Sequence, residues 1–258
     1  REAAVVLGLR AVKVMALSFW LVDDAQQSAG GDFDYRLYWR RSLTSAAVAS
    51  LLSAHIPDVR ADECFVAGLL ADLGMLAAYH CVEDRYRPVL EQYATCSRPV
   101  QEIEAEVLGF THARISAELL RRWSLPELLC DAIAAHHGEG AARLDAPAQS
   151  LAKALHASAC IAELFCGDVE GTRLDEVKAL CRELLSVPSE ALETILEEVE
   201  QNVAEMASLF NVEIGEALSY DAIRRKAMVK MVNISMSAEM ERVQAHKHAD
   251  RSARSSSA

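Results

Sequence analysis

The chain has 258 residues, a formal net charge of −12, 52% hydrophobic residues and only 6% aromatic ones. That length suits one large domain or two small ones with a sizeable core, and the dominance of Ala and Leu favours helix over sheet. The acidic balance repels nucleic acid outside any local basic patch, and no apolar run reaches the about 18 residues of a membrane span. The seven cysteines are odd in number, lie singly in apolar stretches and form no C-x-x-C, so they read as free thiols in a reducing cytoplasm. The sequence opens at Arg1 inside a helical pattern, as expected of a piece cut from a longer protein, and no signal peptide is legible.

Residues 2–24 place Val6, Leu9, Val12, Val14, Leu17 and Leu21 at helical spacing, weakened by Gly8. QQSAGGDFD, residues 26–34, reads as a loop. A second helix is predicted from Tyr35 to His55, ending before Pro57. A third covers 63–80 with Asp62 as its cap. It contains GLLADLGMLAAYH, where Asp72 stands alone among Leu69, Leu70, Leu73 and Leu76. A buried carboxylate without a partner costs several kcal/mol, so Asp72 calls for one. Further helices fit 82–96, 99–107, 111–122 and 126–137, broken at Pro99, near Gly109 and at Pro126. HHGEGAARLDAP (136–147) is turn-rich, and helices are expected again at 148–165, 173–185 and 189–210, with GDVEGT (167–172) as a loop.

The last part changes character. Between Asp221 and Arg254 there are eight Lys/Arg against four Asp/Glu, and Val229, Val232, Met236, Met240 and Val243 follow a three/four spacing. This predicts an exit helix with a short coiled-coil-like seam. The expected organisation is all-α: a globular domain over 1–215, an exit helix over 216–248, and a polar, disordered tail over 249–258. The seam lacks aromatics and the rest of the chain is strongly acidic, so nucleic acid is a poor partner.

The polar residues near apolar helices are Asp72, His112 in GFTHARISAELL, and the pair His136–His137 in LLCDAIAAHHGEG. Imidazole and carboxylate are natural ligands of divalent metals, though each residue alone serves as well in a cap or a core. Together, FVAGLLADLGMLAAY and EAEVLGFTHARISAELLRRWSLPELLCDAIAAHH resemble the HD superfamily of helical metal-dependent phosphohydrolases. The closer resemblance is to its HDOD branch, the HD-related output domain of bacterial signalling proteins. It covers roughly residues 3–210 and implies an HD-like multi-helix domain.

The departures from the catalytic pattern shape the functional expectation. Catalytic relatives carry a first His ligand in the helix that here reads YWRRSLTSAAVAS, and that position falls on Arg40 or Arg41. The His of the His-Asp dyad is replaced by Ala71. Met75 stands where relatives that cleave cyclic dinucleotides often have Lys, and Gly138 where they have Glu. An arginine at this point brings positive charge to the seat of a cation and offers Asp72 an ion pair. The resemblance therefore implies a vestigial or altered ligand pocket of Arg40, Arg41, Asp72, His112, His136 and His137, with no catalytic residue, no metal and no cofactor. The expected function is a non-catalytic regulatory module acting through a protein partner, an effector or a fused signalling domain such as a GGDEF diguanylate cyclase. A homodimer through 223–243 and a cytoplasmic location without membrane contact complete the reading. The alternative is a divergent metal-dependent phosphohydrolase acting on nucleotides or cyclic dinucleotides. A thiol sensor ranks last: Cys64 and Cys81 flank the motif helix, but no basic partner is evident.

Overall fold

The structure, a computed structural model, describes residues 33–96, 98–167, 173–215, 219–233 and 236. The predicted helix over 2–24, the tail over 249–258 and most of the second half of the exit helix lie outside the described residues. The described residues form an all-α domain. In chain order its helices are α1 Tyr35–Leu52, α2 Ala61–Leu70, α3 Leu73–Cys81, α4 Glu83–Thr95, α5 Val100–Leu108, α6 His112–Arg122, α7 Glu127–Ala134, α8 Ala146–Cys166, α9 Arg173–Leu185 and α10 Ser189–Phe210. A further helix, α11, runs over 220–233.

The ends of these helices follow local chemistry. Asp34 accepts a hydrogen bond from Leu37 N–H at 2.9 Å and starts α1, and Asp145 does the same for α8 through Ala148 N–H at 3.1 Å. Gly109 ends α5 at φ 80° and Asn211 ends α10 at φ 53°, both left-handed. Asp62 is not a cap. Arg60 holds the position before α2, and Asp62 sits in the first turn, bound to both Arg60 Nε and Nη2.

The helix predicted over 63–80 is broken at Ala71–Asp72. A hydroxyl from another helix bridges the break. Ser116 Oγ of α6 donates to Ala71 O at 2.7 Å and accepts from Gly74 N–H at 2.7 Å, while Met75 N–H turns to Asp72 O at 2.9 Å. One side chain thus satisfies the backbone groups that the break sets free. The break rotates the chain so that Asp72 faces inward at the start of α3. The helix predicted over 126–137 also ends early, at Ala134, and tight turns carry His136 and His137.

α1 lies at the centre, packed on α2, α8 and α10; α3 packs on α6, α6 on α7, and α7 on α8. Two glycines set the closest approaches. A Cβ at Gly68 would lie 2.8 Å from Ala46 Cα and from Ser45 O, and one at Gly74 would lie 2.1 Å from His112 O. Residues Ala61–Cys81 have the length and hydropathy of a membrane span, yet 78% of that window is buried inside the domain, where core packing accounts for it. α11 begins on the domain: Tyr220, Ile223 and Ala227 are buried, and Tyr220 Oη donates to Glu193 of α10. Farther along, Met228, Val229, Met231, Val232 and Met236 are exposed.

Candidate functional site

The site forms where the α2–α3 break meets α1, the start of α6 and the turn after α7. Arg41 Nε of α1 donates to Asp72 Oδ2 at 2.7 Å, its Nη1 donates to Tyr93 Oη at 3.3 Å, and its Nη2 lies 3.6 Å from Glu163 Oε1. The side chains of Arg41 and Asp72 are only 6% and 5% exposed. Burial would raise the Asp72 carboxyl, but the adjacent Arg41 guanidinium, with His112 and His136, holds it well below the usual range. Arg40 does not join this pair. Its carbonyl accepts from Thr44 Oγ1 at 2.7 Å, and its charge acts on the Cys166 thiol.

His112, the first residue of α6, is held by Glu104 of α5. Glu104 Oε2 accepts from the His112 backbone N–H at 2.7 Å and stands 2.6 Å from its Nδ1, while Oε1 accepts from Tyr86 Oη at 2.6 Å. Both Glu104 and His112 are fully buried. Burial would lower the His112 imidazole, but Glu104 and Asp72 outweigh it and lift the ring to about 9. Burial would likewise raise Glu104, and its His112 contacts bring it below the usual range.

The other face of the His112 ring belongs to the cluster. His112 Nε2 lies 3.3 Å from Asp72 Oδ1 and 2.9 Å from His137 Nε2. His136 Nδ1 donates to Ile133 O at 2.7 Å, which turns its Nε2 to within 3.4 Å of the same Asp72 Oδ1. His156 Nδ1 donates to His136 O at 3.1 Å and braces the turn. Burial and the neighbouring rings push His137 well below the usual histidine range. One donor atom each from Asp72, His112, His136 and His137 lies within 4.8 Å of the others. Asp72 Oδ1 and His136 Nε2 are buried without a hydrogen bond of acceptable geometry. Three imidazoles and a carboxylate at this range are a donor set of the kind that holds a divalent ion.

The structure therefore brings five of the six residues singled out in the sequence to one point and leaves Arg40 to one side. It adds Glu104, Tyr93, Glu163 and Ser116, none of which the sequence reading assigned. Glu104 had a signal, since an acidic residue precedes Gly-Phe-Thr-His in the motif, eight positions before His112. Tyr93, Glu163 and Ser116 had none, because their roles depend on which helices meet. Burial pushes the Cys64 thiol up to about 12, which keeps it protonated and unreactive.

The HDOD domain family model matches residues 1–139. The chain belongs to the HDOD family. Among solved structures, this HDOD chain is similar to an HDOD domain protein of unknown function from Geobacter sulfurreducens, at 22% identity and a TM-score of 0.55 over 72% of this chain and 65% of that one. It is also similar to the MmoQ response regulator from Methylococcus capsulatus, at 24% identity and a TM-score of 0.52 over 63% of this chain and 62% of that one. A candidate phosphohydrolase from Shewanella amazonensis matches at 17% identity and a TM-score of 0.52 over 76% and 65% of the two chains. The chain spans less than two thirds of the length of each of these structures. At these identities they show a shared fold. No curated protein matches the sequence.

Proposed function

We propose that this HDOD domain is a non-catalytic regulatory module of bacterial signal transduction, working in the cytoplasm through a protein partner, an effector or a fused output domain such as a GGDEF diguanylate cyclase. The observation that carries this reading is the buried Arg41–Asp72 pair. A hydrolytic metal centre needs a cation that clamps phosphoryl oxygens and lowers the pKa of a bound water. Here Asp72 spends one oxygen on a permanent positive charge, Ala71 stands in place of the dyad histidine, and the carboxylate is closed off from solvent. The response regulator among the structural neighbours has the same fold, which suits a signalling role. Exposed Val229, Val232 and Met236 at the start of the seam support dimerisation through 223–243.

The test is turnover. The purified chain, loaded in turn with manganese, iron, zinc and magnesium, is assayed against cyclic dinucleotides and nucleoside phosphates. The regulatory reading expects no hydrolysis above buffer. Turnover that disappears in Asp72→Ala would establish the second reading, a divergent phosphohydrolase, which is favoured by the convergence of four metal-type donors at Asp72.

A further inference from the structure

We infer that the outer face of α6 is a docking groove for an acidic amphipathic helix of a partner protein. This names the partner class of the regulatory reading and rests on it for one point, that the domain works through protein contacts.

His112 and Ser116 of α6 turn to the inside of the domain. Ile115 and Leu119, one turn apart, turn the other way and are half-buried. With Phe110 before the helix and Ala134 at the end of α7, they line a groove of about 690 Å³. Among the described residues no element covers it. Arg114 and Arg122 stand exposed along it, with Glu118 between them.

The charges beside the groove are not balanced within the domain. Arg114 is the third residue of α6, at the end of the helix where free backbone N–H groups disfavour a cation. Glu104 serves the inner side of that end through His112. The first turn itself carries no acidic residue, and Arg114 makes no hydrogen bond or ion pair among the described residues. Arg121 and Arg122, in the last turn, stand where a helix favours cations. Arg121 is held by both Glu127 and Asp131. Arg122 has the exposed Glu118 at 3.1 Å, a surface pair that contributes little and exchanges readily. Arg114 and Arg122 thus offer two positive groups, about 12 Å apart along the helix, in a chain whose net charge is −12.

A second copy of this face does not match it. Packed on its own copy about a two-fold axis, α6 sets Glu118 on Glu118 and arginine on arginine in either direction. An amphipathic helix with acidic flanks does match. Its apolar side chains at i and i+4 pack on the Ile115–Leu119 stripe, and acidic residues about eight positions apart reach Arg114 and Arg122. α6 has 11 residues, so the contact is about three turns long. It falls below the about 1,200 Å² of stable interfaces, as a transient signalling contact does.

The experiment titrates the whole chain into a fluorescein-labelled helical peptide of about 18 residues. The peptide carries Leu at i, i+4 and i+7, with Glu at both ends of that stripe. A control peptide has Lys in place of each Glu. The Glu peptide should bind with micromolar affinity, about 10-fold more tightly than the Lys peptide, and should shift the Ile115 methyl resonance of the labelled chain. Arg114→Glu should weaken the Glu peptide by about 10-fold and strengthen the Lys peptide, an exchange that a folding defect does not produce. Leu119→Gln should weaken both. No binding of the Glu peptide would overturn the inference, and so would binding that ignores both substitutions. A wild-type dimer that Arg114→Glu dissociates would make the occupant a second copy and overturn the partner. None of these failures touches the turnover assay, and turnover would remove the regulatory reading without moving the affinity of either peptide.

Discussion

Glu104 grips His112 twice through a single oxygen, at the backbone N–H and at the ring Nδ1, and so joins the end of one helix pair to the centre of the candidate site. The contact fixes where α6 begins and which way its first side chain faces. Thr111, at the capping position, makes no side-chain cap of its own.

Replacing Glu104 with Gln keeps an acceptor but removes the charge. In chelator-treated protein, the elevated His112 pKa of about 9 means that the folded state holds its proton more tightly than the unfolded state. The stabilisation is fully present below about pH 6.5 and is lost as pH rises through about 9. Urea denaturation across that range should show stability falling in the wild type. In Glu104→Gln the fall should shift to lower pH and shrink, with an overall loss of about 1–3 kcal/mol. An unchanged pH profile would show that Glu104 does not set the charge of His112.

Arg41→Met should cost about 3–5 kcal/mol, because it strands Asp72 as a buried charge. Adding Asp72→Leu should recover much of that loss, since an apolar pair of similar volume is often neutral or stabilising. Arg40→Met leaves the Arg41–Asp72 pair in place and serves as the comparison. Chemical denaturation of the wild type, Arg41→Met, Asp72→Leu and the double variant measures the coupling, and additive effects of the Arg41 and Asp72 changes would refute it.

Most helix ends among the described residues were legible because Pro, Gly and apolar spacing mark them locally. Pro99, Gly109 and Pro126 all fall at real boundaries. The break at Ala71–Asp72 was not legible. GLLADLGML has no Pro at that point, and the group that bridges the interruption is Ser116, more than forty residues away. The partner of Asp72 was narrowed to two adjacent arginines. The choice between them depends on the rotation of α1, which a helix of small buried residues on most sides does not reveal. Glu104 was visible in the motif without a role, because a cap reaching eight residues forward has no signature at helical spacing.

Gly74→Ala should be severely destabilising. Its Cβ would sit 2.1 Å from His112 O, a backbone atom of α6 that can retreat only if the two helices separate. Gly138→Ala is the contrast. Its φ of 92° strains a side chain, but nothing lies within 3.8 Å of the added Cβ, so the cost should be about 1–2 kcal/mol. Thermal midpoints of the two variants should therefore differ clearly, and equal losses would contradict the close approach of α3 to α6.

Glu at Val229, Val232 and Met236 together should convert a dimer into a monomer in sedimentation equilibrium, with little change in helicity. These side chains are exposed in the single chain, so they contribute little to its own core. A wild type that sediments as a monomer at high concentration would remove the seam from the account.

The meeting of α1 and α2 at Gly68 has a consequence for how far the domain can deform. Backbone touches backbone there, and Ser45 Oγ also lies 3.1 Å from Ser158 Oγ of α8, so three helices are clamped with almost no side chain between them. Sliding one helix past another would require bare main chain to climb over main chain. The domain is therefore an anvil rather than a spring. α11 is the contrast, since it turns Met228, Val229, Met231 and Val232 to solvent in its last described turns.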